Sequence, residues 1–188
     1  MSTTPSDERR NPLVLVADDW KDFELLDSGD GRKLERYGRL RFIRPEPQAL
    51  WRPSLPAEAW RADGTFDADE TDSGRWRFDG EVPENWTLSW RGLRFAARCT
   101  PFRHLGFFPE QAPHWNWCGD QLAARSSQPK VLNLFGYTGL ASLAAAASGA
   151  AVTHVDASKK SITYAVENQK LSALEERPIR WIDRKSVV

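Results

Sequence analysis

Little in these 188 residues could hold a metal or build a disulfide framework. The only cysteines are Cys99 and Cys118, and together with His104, His114 and His154 they form no set with metal-ligand spacing. With no export signal in view, the two thiols read as reduced residues of a cytosolic protein. Long apolar runs are also missing. The longest, the alanine-rich Leu140–Ala147, falls far short of the ~20 residues that span a bilayer, so no membrane partner is expected. Net charge is zero, which removes any global attraction to a polyanion. Residues 1–12 are polar and charged, with no apolar stretch behind their arginines, and read as a flexible tail rather than a targeting peptide. What remains is 40% apolar and 11% aromatic, enough to bury a core, so a globular cytoplasmic protein is expected.

The texture of the chain changes near residue 120. Eight of nine tryptophans (Trp20, Trp51, Trp60, Trp76, Trp86, Trp90, Trp115 and Trp117) precede it, and alanine, leucine and β-branched runs follow it. The expected organisation is a β-rich substrate-side domain over 13–120 and a second domain from 121, with Ser126-Ser127-Gln128-Pro129 as linker. In the first part, Phe23-Glu24-Leu25-Leu26 and Leu40-Arg41-Phe42-Ile43 read as strands, with a loop over 27–32 between them. Residues 45–72 read as loop with one helical turn near Ala57. Period-two alternation on both sides of Arg91-Gly92 predicts a hairpin from Trp86 to Arg98. The tryptophans read as core or sheet-face residues.

The second part reads as β-α-β-α-β: strand 130–135, tight loop 136–139, helix 140–148 stopped by Gly149, strand 151–155, helix 158–174 capped by Ser158, and the start of a strand at 178–182. Strands separated by single helices imply a parallel sheet with right-handed crossovers. A strand delivering the loop Gly136-Tyr137-Thr138-Gly139 into a helix N-terminus lets backbone approach a ligand closely. In this topology an acidic residue at the next strand end, here Asp156, reaches the hydroxyls of a ribose. The alternative for Gly139 is a plain strand-to-helix turn, and for Asp156 a helix cap, and the site reading outweighs both. The glycine spacing is not the G-x-G-x-x-G of dinucleotide binders. It favours S-adenosylmethionine over a pyrophosphate ligand. The three histidines show no partner pattern and receive no role.

The strings Val131-Leu132-Asn133-Leu134-Phe135-Gly136-Tyr137-Thr138-Gly139, His154-Val155-Asp156-Ala157-Ser158 and Ala165-Val166-Glu167-Asn168 resemble the bacterial 23S ribosomal RNA cytosine-5 methyltransferase-like family. Gly106-Phe107-Phe108-Pro109-Glu110-Gln111 is similar to that family's lead-in segment, and Leu140-Ala141 departs from its usual Gly-Phe. The resemblance implies an α/β, Rossmann-like methyltransferase fold, incomplete at its first three strands, behind a small β-rich α+β domain. It implies S-adenosyl-L-methionine as cofactor and an RNA nucleobase as acceptor. Asn133, Phe135, Gly136 and Gly139 would line the methionine end, with Tyr137 and Thr138 beside them. Asp156 and Ala157 would hold the ribose, and Phe108 and Gln111 would face the cofactor.

The family's catalytic Asp/Asn-Pro-Pro motif, and the cysteine beyond it in cytosine-5 enzymes, have no counterpart here. No catalytic residue is assigned, and Cys99 and Cys118, which precede the cofactor loop, are not candidates. Residues 183–188 match the translation of a common sequencing adapter, so the gene is expected to be cut after Ile182 and the short chain to be inactive alone. The rival readings are a nicotinamide-dependent oxidoreductase and a non-catalytic RNA-binding module. Sequencing the genomic DNA beyond the codon for Ile182 should reveal a continuing frame that encodes the proline-proline motif. A stop codon there would contradict the expectation.

Overall fold

The structure, a computed structural model, describes residues 14–16, 19–68 and 74–183. The expected tail at 1–12 and residues 184–188 lie outside the described residues.

Turn chemistry builds the first part. β1 (Phe23–Gly29) and β2 (Arg32–Tyr37) form an antiparallel hairpin whose connecting residues, Asp30 and Gly31, have φ of 49° and 74°. That left-handed pair is what a two-residue hairpin demands, and Asp-Gly adopts it readily. The loop expected over 27–32 is therefore a correction: Asp27, Ser28 and Gly29 finish β1, and Arg32 opens β2. Their weak strand propensity is overridden by pairing with the neighbouring strand. β2 itself, with charged residues at its exposed positions, was not anticipated.

β3 (Leu40–Pro45) pairs antiparallel with β2, β4 (Gly64–Ala68) lies parallel to β3, and β5 (Gly74–Phe78) closes the sheet in the order β1-β2-β3-β4-β5. The expected helical turn is present as the 3-10 helix Ala57–Ala59. The loop expected around it is interrupted by β4, which pairs with β3 at only two positions, Phe42 with Gly64 and Ile43 with Thr65. β4 pairs with β5 along its whole length, but Phe66 is its one large apolar residue, so its sequence shows no hydrophobic alternation. The Asp27 carboxylate pins the intervening loop to β1 by accepting from the N–H groups of Leu55 (2.8 Å) and Ser54 (3.2 Å) and from the Trp60 indole (3.0 Å). Those donors, the Leu55 N–H foremost, hold its pKa below the ordinary value.

The predicted hairpin forms as β6 (Trp86–Trp90) and β7 (Leu93–Ala97), turning at Arg91 and Gly92. After it come a 3-10 turn, Pro109–Gln111, and a helix that sequence reasoning missed, α1 (Ala112–Ala123). Its Trp115-Asn116-Trp117-Cys118-Gly119 stretch has poor helix propensity. The helix forms because Ala112 and Trp115 are buried in the core and because it packs on the next helix.

The β-α-β-α-β reading holds, with the first strand and both helices shorter, the second strand one residue longer and the third shifted by one: β8 (Lys130–Asn133), α2 (Leu140–Ala147), β9 (Ala151–Asp156), α3 (Lys159–Leu171) and β10 (Ile179–Asp183). These strands are parallel in the order β10-β9-β8. Ser158 caps α3 as expected, accepting from the Ser161 N–H at 3.2 Å. One apolar cluster joins Trp20, Tyr37, Phe42, Phe95, Phe107 and Trp115 to Leu140 and Leu143 of α2, so residues from both sides of position 120 share a core.

A buried charge network ties the first sheet to the segment beyond β7. The Arg44 guanidinium donates to Glu35 Oε2 (2.7 Å) and Oε1 (2.9 Å), to the Tyr37 hydroxyl (2.5 Å) and to the Arg103 carbonyl (2.8 Å). Arg44 and Glu35 are both almost fully buried. Removing one partner would leave the other charge uncompensated in a low-dielectric site. Arg44→Leu is expected to cost about 3–5 kcal/mol in a urea titration. A midpoint unchanged from the parent chain would refute that role.

Candidate functional site

The loop between β8 and α2 is clamped at consecutive residues. The Asn133 carboxamide oxygen accepts from the Phe135 N–H (3.3 Å), the Gly136 N–H donates to the Val155 carbonyl (3.1 Å), and the Tyr137 N–H donates to Asp156 Oδ2 (2.8 Å). Gly136 lies on the ring of His154, and a β-carbon there would drive into the imidazole. Gly139 has φ of 92° and sits where a β-carbon would meet the Ala165 methyl at 2.8 Å. Both glycines are thus demanded by close packing, one against a side chain beneath and one against α3.

This loop forms one wall of a cleft of about 510 Å³, whose other wall comes from the 3-10 turn and α1. The cleft brings together Asn133, Phe135, Gly136, Tyr137, Thr138, Phe108 and Gln111, all singled out from sequence. Phe135 is 92% exposed, an apolar ring standing free at its edge. Thr138 reaches the cleft with its backbone, since its hydroxyl is committed to the Gly106 carbonyl. Gly139, Asp156 and Ala157 are not part of the lining. Asp156 lies one hydrogen bond behind Tyr137, and its other oxygen accepts from the Ser158 N–H at 2.8 Å. Each carboxylate oxygen therefore keeps a free lone pair, the donor-hungry arrangement that two ribose hydroxyls require.

A second cleft, of about 660 Å³, meets the first at Tyr137 and runs between the start of α3 and residues 98–102. Here Arg98 lies 3.9 Å over the Tyr164 ring and pairs with Glu167 at 2.7 Å. Lys160, at the mouth, has no ion-pair partner among the described residues, and Phe102 is largely exposed. Cys99 borders this cleft, but burial pushes its thiol up to about 12, so it is protonated and a poor nucleophile at neutral pH. Burial likewise pushes the Tyr164 phenol up to about 12. Among the described residues no group of three or more His, Cys, Asp or Glu side chains could hold a metal ion, and no helix is long and apolar enough to cross a membrane.

No protein-family model matches the chain. Among curated proteins it is similar to the ribosomal RNA large subunit methyltransferase K/L of Hahella chejuensis, at 34% identity over 112 residues, covering 59% of this chain and 14% of that one. A solved SAM-dependent methyltransferase from Agrobacterium tumefaciens superposes with a TM-score of 0.86 at 54% identity, covering 91% of this chain and 55% of that one. The chain has the Rossmann-like fold of SAM-dependent methyltransferases. A structure from Streptococcus mutans repeats that fold with a TM-score of 0.67 at 20% identity, covering 87% of this chain and 46% of that one. The chain thus spans about half the length of the solved relatives and a small part of the curated one.

Two residues at the site escaped sequence reasoning. His154 was given no role, yet it is fully buried directly under Gly136 and packs edge-on against Trp181 at 4.6 Å. Period two along β9 was the available signal, since it puts His154 on the same side of the strand as Asp156. Asn168 was visible only as part of a family string. It is fully buried; its oxygen accepts from the Ala96 N–H and its amide donates to the Thr138 carbonyl, both at 2.9 Å, so it ties the β6–β7 hairpin to the loop.

Burial lowers the His154 pKa to about 4, against the opposing pull of Asp156 and of the Tyr137 backbone. Above pH ~6.5 the ring is neutral in the folded and the unfolded chain alike. As pH falls from there toward 4, the unfolded chain takes up a proton that the folded chain refuses, and stability drops. A loss of up to about 3 kcal/mol across that window is expected from urea midpoints. His154→Asn should flatten this part of the profile; an equal slope in the variant would assign it to other groups.

Proposed function

We propose that this chain carries the cofactor-binding segment of an S-adenosyl-L-methionine-dependent methyltransferase that acts on a nucleobase of RNA. The observation that carries the cofactor assignment is the charge of the first cleft. Glu110 is the only ionisable side chain of fixed charge in its lining. A negative cleft without a cation suits a ligand whose sulfonium and ammonium groups are positive. It is a poor seat for the pyrophosphate of a dinucleotide, which argues against a nicotinamide cofactor. The volume lies within the range of ordinary cofactor sites, and the 54% identity with the Agrobacterium SAM-dependent methyltransferase supports the same reading.

In this reading Asn133, Phe135, Gly136, Tyr137 and Thr138 receive the methionine end, with Phe108 and Gln111 facing them. Gly139 supports that end from behind the lining, and Asp156 with Ala157 takes the ribose side. When bound, S-adenosylmethionine supplies a methyl group activated by its sulfonium. The residues of this chain orient that group by holding the loop rigid, which is a contribution through positioning rather than through a proton transfer. The RNA assignment is supported by the likeness to the ribosomal RNA large subunit methyltransferase K/L, and a cytoplasmic location is part of the same proposal. The cytosine-5 chemistry of the resembling family is the finer form of the same proposal. The second cleft, which touches the first at Tyr137 and carries the exposed Lys160 and the exposed Phe102, offers RNA a surface beside the cofactor. Residues 13–120 would then form the substrate side and residues 121–182 the cofactor side.

Titration calorimetry on the 188-residue chain with S-adenosylhomocysteine and with NAD tests the cofactor assignment. Binding of the first and not the second is expected, and Gly136→Ala should abolish it by displacing the loop from His154. A preference for NAD would overturn the proposal.

A further inference from the structure

The two ring nitrogens of His154 differ in their partners. Nδ1 lies 2.9 Å from the Ser142 hydroxyl, while Nε2 is buried and, among the described residues, meets no partner in full hydrogen-bonding geometry. The protons in this cluster can be assigned by elimination. The Phe135 N–H can only donate, so the Asn133 atom facing it is the carboxamide oxygen, and the Asn133 amide nitrogen faces Ser142 at 3.1 Å. That amide can only donate, so the Ser142 oxygen accepts from it, and among the described residues His154 Nδ1 is the acceptor that meets the hydroxyl's own proton. The imidazole, kept neutral by its burial, therefore carries its proton on Nε2. The Tyr137 backbone is near enough to pull on the ring, but among the described residues no acceptor meets Nε2 in full hydrogen-bonding geometry.

We propose that Asn133, Ser142 and His154 form a hydrogen-bond relay that presets the nucleotide loop, with His154 as a positioning residue for the cofactor rather than a group that touches it. The relay fixes the Asn133 carboxamide so that its oxygen holds the Phe135 N–H, and it fixes the imidazole plane on which Gly136 rests. Residues 133, 135 and 136, which line the cleft, are thus aligned from below by Ser142 and His154, neither of which lines it. A loop held in its binding shape loses less freedom when a ligand arrives, so the relay appears in the binding constant. This inference rests on the cleft being the cofactor site.

The test uses the full chain and S-adenosylhomocysteine. Ser142→Ala cuts the relay without altering the cleft lining and should weaken binding about tenfold, whereas Ser142→Thr, which keeps the hydroxyl, should stay within about twofold of the parent. Asn133→Asp, which still accepts from the Phe135 N–H but cannot donate to Ser142, should weaken binding as well. Its combination with Ser142→Ala should cost little more than either alone, as members of one network do. Nitrogen-15 NMR of the His154 ring in the parent chain should show the proton on Nε2 alone, and Ser142→Ala should mix the two forms. A role confined to stability would lower the melting temperature of Ser142→Ala and leave the binding constant unchanged, which overturns the proposal. A proton on Nδ1 in the parent chain also overturns it. If the parent chain binds no S-adenosylhomocysteine, the cofactor reading fails with it; if the parent binds and folded Ser142→Ala binds equally well, only the relay fails.

Discussion

Gly136 can lie against the face of His154 only while the imidazole stays buried, neutral and correctly turned, and the site above depends on that contact. The ring stays neutral because burial penalises its charged form. It stays turned because Ser142 holds Nδ1 on one side and Trp181 packs against it on the other. A charged ring would also turn Nδ1 into a donor and break the bond it accepts from Ser142. A rotated ring would lift the glycine and, with it, the backbone that lines the cleft. The loop's shape is therefore decided underneath, by β9, β10 and the second residue pair of α2.

The same loop is tied to the rest of the molecule through α3. Asn168 joins the Thr138 carbonyl to the Ala96 N–H, and the Tyr164 hydroxyl donates to the Ala96 carbonyl at 2.9 Å. Arg98, stacked on Tyr164 and paired with Glu167, extends that seam toward the second cleft. Below it, Trp20, Trp90, Phe107 and Trp115 meet in tilted and edge-on contacts that bind the hairpin, the lead-in segment and α1 into one core. The first sheet is thereby positioned relative to the cleft by packing that runs through the hairpin, with the Arg44 network as a polar fastening at Arg103.

The β-α-β-α-β order was legible because each element carries its own local signal: Ser158 as a cap, Gly149 as a stop, alanine and leucine over α2. The β6–β7 hairpin was legible because both of its strands alternate around a short turn. β2, β4 and α1 were not. β2 carries too many charges to look like a strand, β4 has Phe66 as its one large apolar residue and so shows no hydrophobic alternation, and α1 contains residues that disfavour a helix in isolation. In each, long-range contacts overrode local preference.

The sequence by itself determined the loop, its two glycines, the acidic strand end and the order of strands and helices, because those are properties of spacing along the chain. It also placed Asn133, Phe135, Gly136, Tyr137 and Thr138 together, since a tight loop keeps neighbours adjacent. Only the tertiary structure decided that Phe108 and Gln111 face them, that Asp156 stands behind Tyr137 rather than in the lining, and that His154 is the floor on which Gly136 rests. Those facts turn on which surfaces pack across the core, and a burial of that kind has no signature in the spacing of residues.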